Sequence, residues 1–108
     1  MAKSVRASEV DCVYIACEAG FGSSLMITSQ LKKRFKQAGI KGVAVRHAPA
    51  IQVPADAKVV VVHDRLEAVA RKSAPQAVML PFSNFMHIPA FDLIIDAITS
   101  DGEIAERG

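Results

Sequence analysis

Val10-Asp11-Cys12-Val13-Tyr14-Ile15-Ala16-Cys17-Glu18-Ala19-Gly20-Phe21-Gly22-Ser23-Ser24 is the stretch whose reading decides the fold. Its first seven residues are rich in β-branched and aromatic side chains, the composition of a buried strand. Gly20 and Gly22 mark a turn, and beyond them a helix is expected over residues 23–38. Ile27, Leu31, Phe35 and Ala38 then share one helical face, with Gln30, Lys32, Lys33, Lys36 and Gln37 elsewhere. Gly39 suits a left-handed C-terminal cap, and the lysines before it complement the helix dipole.

The alternation of strand and helix continues outward. Residues 43–47 read as a second short strand and residues 48–57, with two prolines, as a loop. Residues 58–62 form a third strand, whose run of valines is the kind expected when both faces of a sheet are covered. Asp64 and Glu67 have the spacing of a capping box and open a helix to about residue 73, which Pro75 ends. Residues 77–80 are a fourth strand. Residues 90–100 are a last helix with Phe91, Ile94, Ile95 and Ile98 inward and Pro89 in its first turn. Short crossovers of this kind force parallel strands. The expected fold is an α/β three-layer sandwich of Rossmann-like or low-molecular-weight-phosphatase-like form. It has a four-stranded parallel sheet in the order 2-1-3-4, flanked by helices. The first strand then lies beside the point where the winding reverses, and ligands bind past the carboxyl ends of strands there. Residues 10–101 are expected to make a single domain, with residues 1–9 and 102–108 as flexible tails.

Composition narrows the function. With 108 residues, 51% of them apolar, the chain is long enough to bury a core. Its net charge of +2, single Tyr and absence of Trp leave no basic, aromatic-interleaved platform for nucleic acid. No apolar stretch approaches the roughly 20 residues of a membrane helix, and the first ten residues lack the apolar core of a secretion signal. The chain therefore reads as cytoplasmic. In a reducing compartment Cys12 and Cys17 read as a buried thiol and a reactive thiol. Strand alternation puts them on opposite faces, where no disulfide closes. Three His and two Cys without metal-ligand spacing predict no metal, and no other cofactor is expected.

The segment Cys17-Glu18-Ala19-Gly20-Phe21-Gly22-Ser23-Ser24 carries the chemistry. It leaves a buried strand and enters a helix, whose first turn has unpaired N–H groups and partial positive charge. Gly20 and Gly22 let several N–H groups converge into an anion nest, and Ser23 and Ser24 add capping hydroxyls. A cysteine at the rim of such a nest is stabilised as the thiolate. The same N–H groups then bind the oxygens of a phosphoryl group transferred to sulfur. Each part has an ordinary reading, a small core cysteine and plain turn residues. The functional reading rests on their conjunction at the end of the first strand.

This loop resembles that of the IIB components of the phosphoenolpyruvate-dependent sugar phosphotransferase system, in particular the mannitol-type branch. The matching text is Ala16-Cys17-Glu18-Ala19-Gly20-Phe21-Gly22-Ser23-Ser24, then Leu31-Lys32-Lys33. A weaker likeness runs through residues 60–66, Pro75-Gln76-Ala77 and Ser83-Asn84-Phe85. The resemblance implies that Cys17 takes a phosphoryl group from a phosphohistidine of a IIA domain. It would pass the group to a sugar or polyol, mannitol-like, held in the membrane IIC component, with Glu18 to Ser24 binding the phosphate. It also implies transient complexes, a monomer, and association with the inner face of the membrane through IIC. The family's polar triplet after the third strand usually reads His-Arg-Asp, whereas this chain has His63-Asp64-Arg65.

Two other classes compete. A low-molecular-weight tyrosine phosphatase or an arsenate reductase of that fold needs an arginine six positions after its nucleophile, to clamp phosphate, and an Asp general acid. Here that position is Ser23, and no Asp stands in an Asp-Pro setting. A non-catalytic interaction domain would leave Cys17 as a core thiol. Among other residues, His47 and His63 fall at the carboxyl ends of predicted strands, and His63 is the accessory candidate beside the site. His87 reads as structural. Phe21 is a candidate docking contact at the loop tip. Lys32, Lys33, Arg34 and Lys36 read as a solvated face that would steer an acidic partner.

Overall fold

The computed structural model describes residues 4–17, 23–83 and 88–105. The elements are β1 (Ser4–Arg6), β2 (Cys12–Cys17), α1 (Ser23–Gln37), β3 (Ala44–Pro49), β4 (Val59–His63), α2 (Glu67–Ser73), β5 (Val78–Phe82), α3 (Pro89–Ser100) and β6 (Glu103–Ala105). Short 3-10 turns cover Ala7–Glu9, Ala50–Gln52 and Asp64–Leu66. The main sheet is parallel with the order β3-β2-β4-β5, which is the expected 2-1-3-4 arrangement counted over its own strands. No helix among the described residues is long and apolar enough to cross a membrane.

Burial explains the layers. Val59 and Val61 of β4 join Val13, Ile15, Val78 and Leu80 beneath α1 and α3, where Ile27, Leu31, Phe35, Phe91 and Ile94 are buried. Val60 and Val62 point the other way, to Ala16 and Met79, beneath α2 and the loop around Ala50 and Val53. Ile95 and Ile98 of α3 are only partly buried against the first cluster. On the solvated face expected for α1, the partly exposed Arg34 pairs through its guanidinium with Asp92 and links α1 to α3. Lys32, Lys33 and Lys36 are exposed.

The helix ends follow local chemistry. Gly39 sits at φ +74° after α1. Its N–H bonds to the Lys36 carbonyl at 3.2 Å, and the Ile40 N–H bonds to that of Phe35 at 2.9 Å, the paired bonds of a Schellman cap. Ile40 then packs on the core. At the end of α3 the left-handed residue is Asp101, at φ 57°, a position a short polar side chain tolerates. The Gly102 N–H closes onto the Ala97 carbonyl at 2.8 Å.

Four expectations need correction. The strands β3 and β5 each run two residues further than the sequence suggested, through Pro49 and through Pro81 to Phe82. Both are edge strands, where a residue without an N–H costs no ladder bond on its outer side. Asp64 and Glu67 form no capping box. His63 caps the 3-10 turn instead, and Glu67 pairs with Arg71 at 2.8 Å. Finally, Ser4–Arg6 and Glu103–Ala105 are not frayed. They pair antiparallel, and the Ala7 N–H bonds to the Gly102 carbonyl at 2.9 Å. Ile104 is 1% exposed and completes the cluster under α3. Ile104→Ala should therefore lower the unfolding free energy in urea by about 2–5 kcal/mol. A loss below about 0.5 kcal/mol, the range of surface substitutions, would contradict the ribbon.

Candidate functional site

Cys17 is the last residue of β2, paired in register with Pro49 at the end of β3. On its other side Ala16 pairs with Val62, so one step further along both strands sets Cys17 level with His63. His63 in turn pairs with Phe82. The carboxyl ends of the four strands thus present one row, Pro49, Cys17, His63 and Phe82, with about 5 Å between neighbouring strands. The winding reverses at β2, since the chain moves to β3 on one side and then to β4 on the other. The loop Glu18 to Gly22 lies outside the described residues, as do His87 and the Asn84-Phe85 pair. Ser23 and Ser24 are the first two residues of α1, described as backbone.

His63, the accessory candidate, ends β4. Its Nδ1 accepts the Arg65 backbone N–H at 3.2 Å. The Asp64 Oδ1 lies 3.2 Å from the same nitrogen. The ring meets that of Phe82 edge to face, with centroids 5.5 Å apart and planes at 81°, a favoured aromatic geometry. The sequence did not single out Phe82 or Asp64 as neighbours of the site. Phe82 would have emerged had β5 been read through Pro81. Arg65 is exposed. His47 is not at a strand end, because β3 continues to Pro49. It pairs with Ile15 two residues short of the edge and is exposed.

Cys12 lies at the opposite end of β2 and is half-buried, with its thiol free. Burial pushes that thiol above its ordinary range, while the Arg46 charge and a hydrogen bond with Tyr14 partly offset the effect. Tyr14 is likewise pushed up, first by burial and then by Cys12. These groups line a groove of about 290 Å³ with Asp11, Asp56 and Lys58, at the amino end of the sheet. A second groove of about 220 Å³ lies at the C-terminal end of α1, between Phe35, Ile40 and the lysines 32, 36 and 41. Neither is at the Cys17 edge. Two large apolar side chains are exposed near that edge in sequence, Met26 in the first turns of α1 and Ile51 just beyond Pro49. Among the described residues, no cluster of three or more His, Cys, Asp or Glu side chains is arranged to hold a metal ion.

Comparison with known proteins bears on the same residues. Residues 12–97 match the family described as PTS system, Lactose/Cellobiose specific IIB subunit. A PTS system mannitol-specific EIICB component of Staphylococcus saprophyticus subsp. saprophyticus is 38% identical over 89 residues, covering 82% of this chain and 18% of that protein. The one from Staphylococcus carnosus is 34% identical over 94 residues, covering 87% and 18%. That of Staphylococcus aureus (strain COL) is 32% identical over 96 residues, covering 89% and 19%. The chain thus spans about a fifth of the length of these relatives.

The Cys12 environment makes a prediction of its own. In a Cys17→Ser background, alkylation of Cys12 by iodoacetamide should rise with pH only above the ordinary thiol range of about 8.5. From that value upward, the unfolded chain releases a proton that the folded chain keeps, so stability should fall as pH rises toward the folded value. Cys12→Ala should flatten that decline in urea-melt midpoints between pH 8 and 10. An alkylation profile centred at or below the ordinary thiol range would refute the effect of burial.

Proposed function

The chain belongs to the PTS IIB family, and on that premise we propose that it is a phosphoryl carrier whose covalent residue is Cys17. The thiolate sulfur attacks phosphorus in a phosphohistidine of a IIA domain. The S–P bond forms as the N–P bond breaks, and the bonding pair stays on the imidazole nitrogen, which takes up a proton. In the second transfer a hydroxyl oxygen of a sugar or polyol bound in a membrane IIC component attacks the same phosphorus. The S–P bond breaks, the thiolate is restored, and the hydroxyl proton passes to a base. The proposed substrate class is a mannitol-like polyol, because the relatives at 32–38% identity carry that name.

The observation that carries this reading is the position of Cys17, the last residue of an inner strand at the winding reversal of a IIB-family sheet. Backbone N–H groups of Glu18, Ala19, Gly20, Phe21, Gly22, Ser23 and Ser24 are the proposed phosphate ligands. A helix that starts at Ser23 supplies the partial positive charge they need. The phosphatase reading is disfavoured at the same residue. Where such an enzyme carries its clamping arginine this chain has Ser23, so phosphocysteine has neither the clamp nor the acid that would speed its hydrolysis. A persistent thiophosphate is what a relay requires. Fast, reversible transfer also favours small and transient interfaces, and the working state is accordingly a cytoplasmic monomer that visits the inner face of the membrane through IIC. Met26 and Ile51 are apolar contacts available to such partners.

Incubation with phosphoenolpyruvate, the general phosphoryl donor proteins and a mannitol-type IIA domain should add one phosphoryl mass to the wild-type chain and to Cys12→Ser. It should add none to Cys17→Ser, as read by intact mass. Hydrolysis of an aryl phosphate that Cys17→Ser abolishes, without a stable adduct, would transfer the assignment to a phosphatase.

A further inference from the structure

We propose that the outer edge of β3, with the groove between it and the C-terminal end of α1, docks an extended acidic segment of a partner protein as an added strand. The inference goes beyond the relay and does not depend on Cys17. It starts from the direction of backbone hydrogen bonds. β3 is an edge strand, paired among the described strands with β2 alone. The Ala44 N–H bonds to the Asp11 carbonyl at 2.9 Å, so the backbone groups of Ala44 face β2. Alternation turns the N–H and C=O groups of Val45 and His47 the other way, off the sheet. Pro49 has the same parity and no N–H, which ends the row of outward donors at His47. Such a row is the template on which an extended chain adds as a strand.

The groove supplies side-chain contacts beside that edge. It has a volume of about 220 Å³, with Ile40, Val43 and Val45 among its apolar residues and Lys32, Lys36 and Lys41 as its charged ones. The three lysines are exposed and, among the described residues, none is in an ion pair and no acidic residue lines the groove. Lysines late in a helix also offset its dipole. Here, however, the Phe35 and Lys36 carbonyls are already bonded by the Ile40 and Gly39 N–H groups, and Lys41 lies outside the helix. Charge then decides the occupant. A second copy pairing edge to edge would bring two basic edges together, which is unfavourable. A flat anionic bilayer satisfies the lysines and leaves the outward N–H groups without strand partners. An acidic extended segment satisfies both. An aliphatic residue flanked by carboxylates two positions away on each side puts all three side chains on the α1 side, the aliphatic one beside Val45. The opposite face of β3 is mixed in charge, with Arg46 and Lys58 against Asp11 and Asp56, so discrimination comes from the lysine side. Ala44 is level with Cys12 and Pro49 with Cys17, which sets the groove about 16 Å along the strands from Cys17. A partner held there leaves the Cys17 end of the sheet uncovered and keeps its other parts at high effective concentration near it.

The probe is the blocked peptide acetyl-Ser-Glu-Thr-Val-Thr-Glu-Ser-amide, titrated into the 15N-labelled full chain. Binding should shift the amide signals of residues 32–36 and 40–47, slow hydrogen exchange at Val45 and His47, and weaken with added salt. Lys36→Glu combined with Lys41→Glu should raise the dissociation constant about tenfold, because two attractions become two repulsions. Lys33→Glu, on the exposed surface of α1 outside the groove, should leave it within about threefold. Thermal melts check that both variants fold. Moving the valine one place along the peptide turns it to the other face and should weaken binding about fivefold or more. Cys17→Ser should bind as wild type does, so failure of the docking site and failure of the relay are read separately. No shifts at millimolar peptide, equal binding of the two peptides, unchanged exchange at Val45 and His47, or indifference to the double charge reversal would each overturn the site. The same shifts produced by phosphatidylglycerol vesicles and not by the peptide, or by raising the protein concentration alone, would overturn it in favour of a lipid surface or a second copy.

Discussion

The structure depends on the burial of β4 on both faces. Val59, Val60, Val61 and Val62 are fully inaccessible, and alternate members belong to two different clusters. Each contributes about 1.5–3 kcal/mol relative to exposure, and none can be left to water without losing it. A strand of this kind must be flanked in its sheet by other strands and covered above and below by helices, which parallel crossovers supply. The same feature creates a problem of register. Where both faces are apolar, a slip of one residue exchanges valine for valine and costs little in burial. The polar residues at the ends supply the missing information. Lys58 anchors one end through its Nζ on the Glu9 carbonyl at 2.7 Å. His63 anchors the other through the Arg65 N–H and Phe82.

The architecture was legible in the sequence because its signals are dense. The valine run, the glycine pair, the amphipathic α1 and the proline that begins α3 each point to one element, and short connections then restrict the order of strands. The features that escaped are those whose cause is tertiary. A proline inside a strand reads as a stop until the strand is known to lie at an edge, so both Pro49 and Pro81 shortened their strands. The ribbon of β1 and β6 has one inward residue on each strand, Val5 and Ile104, which is too little pattern to recognise before the ends are known to meet. The Asp64–Glu67 spacing matched a local motif, yet the imidazole of His63 took the capping position. The place of Cys17 at the carboxyl end of its strand was legible from its neighbours in sequence. That residues 17 and 63 end neighbouring strands was legible only once the sheet order was known.

The two thiols of β2 illustrate how position alone assigns chemistry. Cys12 and Cys17 occupy the ends of one six-residue strand. Cys12 is held in its protonated form by the protein packed around it. Cys17 is the last residue of β2, and the proposed relay uses it for that reason. The proposed relay thus places its working thiol at one end of β2, while burial raises the pKa of Cys12 at the other.

The terminal ribbon governs how the molecule responds to pulling. Ser4 and Ala105 form its outermost pair, followed by Val5 with Ile104 and Arg6 with Glu103, and it leads directly into the amino end of β2. A load applied through any chain that continues from both sides meets these pairs one after another, as in a zipper, and never all at once in shear. Opening the ribbon's second pair withdraws Ile104 from the cluster under α3, so the ends of the chain cannot part without disturbing the core.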